Sequence, residues 1–179
     1  MSTSTAPARY HPVHVAIHWL MFLLVVMMLG VGKFVLPGIA TDNPQKPSML
    51  QTHAYIGMFI TVLLVIRLVL YFTTKRPAPA DAGNAFLNFA ARAVHFLLYL
   101  LLIGMAVSGL GMFQQANLPA VFSGAAPYPA DFFAYPPRIG HGLISTLLIL
   151  LIALHVGAAL YHQFIRKDNL LARMWFGKR

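Results

Sequence analysis

RIGHGLISTLLILLIALHVGAALYHQFIRK, residues 138–167, holds about 25 mainly apolar residues, enough to cross a bilayer as one helix. Three histidines interrupt it, His141, His155 and His162. At about 100° per residue, His155 returns to within roughly 40° of His141, and His162 to within roughly 20° of His155. One helix face therefore carries a column of imidazoles, with His141 and His155 about 21 Å apart along the axis. An unsatisfied polar group in hydrocarbon costs several kcal/mol, so these rings need partners. Two imidazoles at opposite depths of one span point to two stacked metal centres, with haem as the leading candidate.

Outward from that stretch, composition sets the class. The chain has 179 residues, 59% hydrophobic and only 9% charged, with a mean hydropathy of +0.70. Such a chain is an integral membrane protein with room for four short-looped spans. It reads as an all-α, four-helix transmembrane bundle, one membrane domain over residues 1–179. The spans are expected at about 15–36, 51–72, 93–113 and 140–165, with an interfacial tail at 168–179. The absence of cysteine excludes disulfides, iron–sulfur clusters and covalent haem attachment. The net charge of +9 sits at span ends, where it is a topology signal rather than a nucleic-acid stripe.

The first apolar run is too long for a signal peptide core and is read as a span, with His18 one turn inside it. His11 and His14 fall at or outside its boundary and are expected to be solvated or headgroup-facing. The loop at 37–50 carries three prolines. His53 opens the second span, and Arg67 lies about one turn from its far end, where it must snorkel or find an anion. His95 opens the third span. Residues 114–138, rich in Pro, Phe and Tyr, are long for a connector and are expected to lie along the membrane surface.

Basic residues assign the sides. Arg9, Lys75, Arg76, Arg92, Arg166, Lys167, Arg173, Lys178 and Arg179 fall on the amino end, the second loop and the tail; the other two loops hold only Lys33, Lys46 and Arg138. Both termini are therefore expected in the cytoplasm. Depth then sorts the histidines. Only His53 and His141 lie on the outer side, so an outer bis-His site pairs those two. The inner side offers His18, His95, His155 and His162. His155 continues the column and His18 is the deepest choice on another span; His18 with His155 is the preferred pair, and His95 is the rival partner. His95 and His162 otherwise read as groups that touch a propionate, bond a quinone or relay protons. Zinc or copper would want clustered ligands, whereas haem takes two axial ligands from facing helices. Gly57, Gly142 and Gly157 beside these positions suit either a porphyrin at the backbone or close helix packing.

Several strings are similar to a known family: VAIHWLMFLL, THAYIGM with IRL in span two, VHFLLYLLL, and above all ALHVGAALYHQFIRKDNLLARM. Over nearly its whole length the chain resembles the bacterial cytochrome b561 family of di-haem, quinone-linked cytochromes of the inner membrane. Within that family it looks most like the superoxide oxidase type, which passes electrons from superoxide to ubiquinone. The resemblance implies two haem b groups on His18, His53, His141 and His155, and quinone contacts at His95 and His162. Arg67 is expected to meet a propionate of the inner haem. The outer loop at 114–140 departs from the family pattern. With both axial positions filled, outer-sphere electron transfer is the expected chemistry. A slightly positive outer face, Lys33, Lys46 and Arg138 against Asp42 and Asp131, favours an anionic donor. The alternative is a haem-binding anchor subunit of a formate dehydrogenase or hydrogenase, fed by a soluble iron–sulfur partner.

Overall fold

The computed structural model describes residues 8–177. Four long helices cross it: α1 (Pro12–Gly38), α2 (Lys46–Thr73), α3 (Ala85–Gln115) and, after a short helix α4 (Leu118–Phe122), α5 (Pro137–Arg166). Their lengths of 27, 28, 31 and 30 residues exceed the apolar runs. At 1.5 Å per residue they reach about 40–46 Å, the thickness of a bilayer with its headgroups. Local chemistry explains the starts. Pro12 and Pro137 occupy first-turn positions, where a missing N–H costs nothing. Asn84 caps α3 by accepting from the Leu87 N–H at 2.9 Å.

The helices pair most extensively as α3 with α5 and α1 with α2. Ile17 and Met21 of α1 bury against Leu63 and Leu64 of α2. Val25 and Leu29 of α1 meet Leu148 of α5, with Leu102 and Met105 of α3 beside them. Large apolar side chains such as Leu23, Phe72 and Phe86 point outward, as a lipid solvent requires.

Two helices widen into π-turns. In α1 the turn spans Val31–Val35, just before Pro37. The proline ring would collide with the Lys33 carbonyl four residues back, and the wider ladder relieves that clash. In α5 the turn spans Tyr161–Arg166 and ends at Lys167 with φ +56°. Each residue of such a turn advances less than 100°, so His162 does not simply extend the His141–His155 column.

In the connector after α3, Ala116, Leu118 and Val121 form a core of their own with Phe113, Phe122, Tyr128, Phe132 and Tyr135, and the loop lines the cavity at that end of the bundle. At the other end the tail is tied down. Arg9 donates to the Ala172 carbonyl at 2.8 Å, Trp19 Nε1 to the Met174 carbonyl at 2.8 Å, and Arg173 to the Ala78 carbonyl at 2.6 Å. The amino segment, the α2–α3 loop and the tail thus gather at one end, bringing most of the basic residues together.

Candidate functional site

Two histidine pairs face each other across the bundle. His53 of α2 and His141 of α5 have ring centroids 6.4 Å apart, with planes at 68°. One span-depth away, His18 of α1 and His155 of α5 are also 6.4 Å apart, at 80°. Two imidazoles bonded to opposite sides of one metal, with metal–nitrogen bonds of about 2 Å, place their centroids about 6 Å apart. Both pairs match that spacing. His95 of α3 also approaches His155, but at 5.1 Å, too close for the same arrangement. Among the described residues no group of three or more His or Asp side chains could hold a bare ion. Twofold ligation suits a metal that brings its remaining ligands with it.

The outer pair opens onto a cavity of about 560 Å³, in the range of cofactor sites. Gly57 lines it, and a Cβ there would meet no atom within 4 Å, so the space beside it belongs to the cavity. Gly32, inside the π-turn of α1, lies against His53: a Cβ would come within 3.1 Å of its Cε1. Gly109 supports His141 in the same way at 3.5 Å. Gly142 lines the cavity as well, and a Cβ there would stand 2.9 Å from the Arg138 guanidinium folded over its own helix. A Cβ on Gly157 would meet nothing within 4 Å.

Hydrogen bonds orient the rings. Ser108 donates its hydroxyl proton to the Gly104 carbonyl at 2.7 Å, so its oxygen accepts from His141 Nδ1–H at 3.1 Å. That leaves His141 Nε2 as the free base, which is how a ligating histidine is normally held. His53 Nδ1 is buried with no hydrogen-bond partner among the described residues. The donor set, the glycine openings and the cavity size all fit a planar tetrapyrrole.

Charge is gathered at the same cavity. Lys33, Lys46 and Arg138 all line it, against Asp131 as its one carboxylate. Asp131 is spent on the Phe133 N–H at 2.8 Å. Lys33 Nζ donates to Thr146 Oγ1 at 2.8 Å, and Arg138 lies over the Phe133 ring at 4.8 Å.

At the inner end several residues depart from expectation. His14 is neither solvated nor headgroup-facing; it is 2% exposed and stacked on Tyr10 at 5.3 Å. Tyr10 is itself tied to the tail, its N–H donating to the Arg173 carbonyl at 3.1 Å. Arg67 meets no carboxylate among the described residues. Its Nε donates to the Tyr99 hydroxyl at 2.9 Å and its Nη1 to the His14 carbonyl at 3.4 Å. His162 Nδ1 meets Asp168 at 2.5 Å, with Arg166 Nε at 3.6 Å from the same carboxylate. That hydrogen bond holds the Asp168 carboxyl below the usual carboxylate range. The contact is therefore present at neutral pH and is lost as pH falls through the depressed Asp168 value. His95 is exposed on α3, its Nδ1–H donating to the Ala91 carbonyl at 2.7 Å, which leaves Nε2 as an acceptor. No ring contact joins His95 to His162 among the described residues; His95 touches His155 instead.

Comparison with known proteins agrees with this architecture. The prokaryotic cytochrome b561 family model matches residues 9–177. Cytochrome b561 homolog 2 of Escherichia coli K12 is 29% identical, covering 97% of this chain and 95% of that protein. A probable superoxide oxidase CybB of Yersinia pestis is also 29% identical, covering 96% and 98%. Cytochrome b562 of Cereibacter sphaeroides is 26% identical, covering 95% and 97%.

Proposed function

The chain belongs to the prokaryotic cytochrome b561 family, and we propose that it is a di-haem cytochrome that oxidises superoxide and reduces ubiquinone. Family membership makes it a multi-pass haem protein of electron transfer in the bacterial inner membrane. The finer reading rests above all on one observation: two histidine pairs with the same 6.4 Å spacing, sharing α5 at its two ends. His53 and His141 would hold the outer haem, and His18 and His155 the inner one. The 5.1 Å approach of His95 to His155 is why His95 is left to another role.

Held by these histidines, haem would supply one-electron centres in series for outer-sphere electron transfer. The chain's own residues set the direction. The basic end carrying both termini faces the cytoplasm, so the roofed cavity opens on the periplasmic side. Lys33, Lys46 and Arg138 concentrate positive potential there and draw in a small anion. Arg67, near His18, neutralises a propionate at the inner site. His95 and His162 serve the quinone at the inner end, and the His162–Asp168 pair holds a proton beside it. Two superoxide anions each give up one electron and leave as oxygen. The quinone takes both electrons and two cytoplasmic protons to become quinol.

The purified chain, mixed with a superoxide source, is expected to show haem reduction within milliseconds, followed by reoxidation on adding ubiquinone. No second protein is needed. Quinone reduction that begins only when a soluble dehydrogenase is added would replace this reading with that of an anchor subunit.

A further inference from the structure

Every acidic side chain in the chain is accounted for, and none serves Arg67. Asp42 and Asp131 belong to the outer loops. Asp81 accepts from the Gly83 N–H and from Asn88, while Asp168 is taken by His162 and Arg166. Yet Arg67 stands in a span beside polar groups that have no further partner among the described residues. The Tyr99 oxygen accepts from Arg67, so its own O–H is left over, and the guanidinium has spent only two of its five N–H groups. His14 is 2% exposed, and its Nδ1 is buried without a partner among the described residues. Tyr10 stacks on His14, and the nearby Arg67 and Arg76 charges reach its phenol. Burial pushes that phenol above its ordinary range, so it too keeps its proton.

Unspent N–H groups of Arg67 and the leftover Tyr99 hydroxyl proton, gathered inside a bundle with no acceptor for them among the described residues, suit an oxyanion. We propose that Tyr10, His14 and Tyr99 complete, around Arg67, a carboxylate-binding site that receives a propionate of the inner haem. This rests on the reading of His18 and His155 as that haem's ligands. Placement favours the cofactor over a lipid phosphate. His14 lies one helical turn from His18 on the same face of α1, and Arg67 bonds its carbonyl. A lipid phosphate would instead sit on the outer, lipid-facing surface, whereas His14 faces inward. The site also gives the half-buried Arg67 a counter-charge that no carboxylate among the described residues supplies.

Removing a donor leaves the propionate charge less neutralised, which favours the more positive, oxidised iron. The test is a potentiometric titration of the haem-loaded protein with Tyr99→Phe and, separately, His14→Leu. Each is run in lipid-free detergent and in nanodiscs with and without phosphatidylglycerol. The expected result is a lower inner midpoint in every medium for both variants, with the outer midpoint fixed and two haems retained. The shift should reach about tenfold in the reduction equilibrium for Tyr99→Phe, or ~59 mV for a one-electron couple. Unchanged inner midpoints in both variants would overturn the site, and so would a shift that appears only with phosphatidylglycerol, which assigns the pocket to lipid. His155→Ala is the separate control. If it leaves the inner haem in place, the ligand reading falls and this site with it; if it removes that haem and the potentials still do not move, this site alone is refuted.

Discussion

Replacing His141 with alanine is expected to leave a chain that carries one haem, its inner optical and redox signals unchanged. Replacing His155 should remove the inner haem and spare the outer. The selectivity follows from placement. The two rings sit on one helix but face different partners, His53 at one end and His18 at the other, each at 6.4 Å. An axial ligand is the strongest single contact a b-type haem makes with its protein, so its loss should exceed the effect of any neighbouring substitution. The informative comparison is His95→Ala. It should retain both haems, because its 5.1 Å approach to His155 leaves no room for a metal between them. Loss of the inner haem in His95→Ala, with His18→Ala silent, would move that ligand to α3.

A different signature is expected from His162→Gln. Reoxidation of the reduced haems by ubiquinone should slow on the order of 100-fold, the usual worth of a positioned acid. Reduction by superoxide at the far end should keep its rate. Asp168→Asn should reproduce the slowing in part, since the carboxylate that orients the ring at 2.5 Å would be gone. Stopped-flow traces separate the two half-reactions. Equal slowing of both would mean that the substitution had disturbed the fold rather than proton supply.

Much of the architecture could be read from the chain, because membrane helices announce themselves through local composition. Four apolar runs became four helices, and the fourteen-residue interval between His141 and His155 is a property of one helix needing no tertiary knowledge. What escaped was non-local. His14 follows a polar leader and looks like a boundary residue; it is buried because Tyr10 stacks on it while the tail folds back over the amino segment. Ser108 carries no local signal, since its bond to His141 joins positions 33 apart in sequence. Asp168 becomes a partner of His162 through a π-turn and a left-handed Lys167, neither of which periodicity foresees. The local core of the connector is non-local in the same way, its aromatic residues finding one another across the loop.

The proposal that a single chain holds two haems stacked across the membrane rests on the two imidazole pairs, with a cavity and glycine openings beside one of them. A pyridine hemochrome assay on the purified chain, with protein quantified independently, tests it most directly. Two b-type haems per chain, both low-spin, is the predicted result; one haem or none per chain would contradict it.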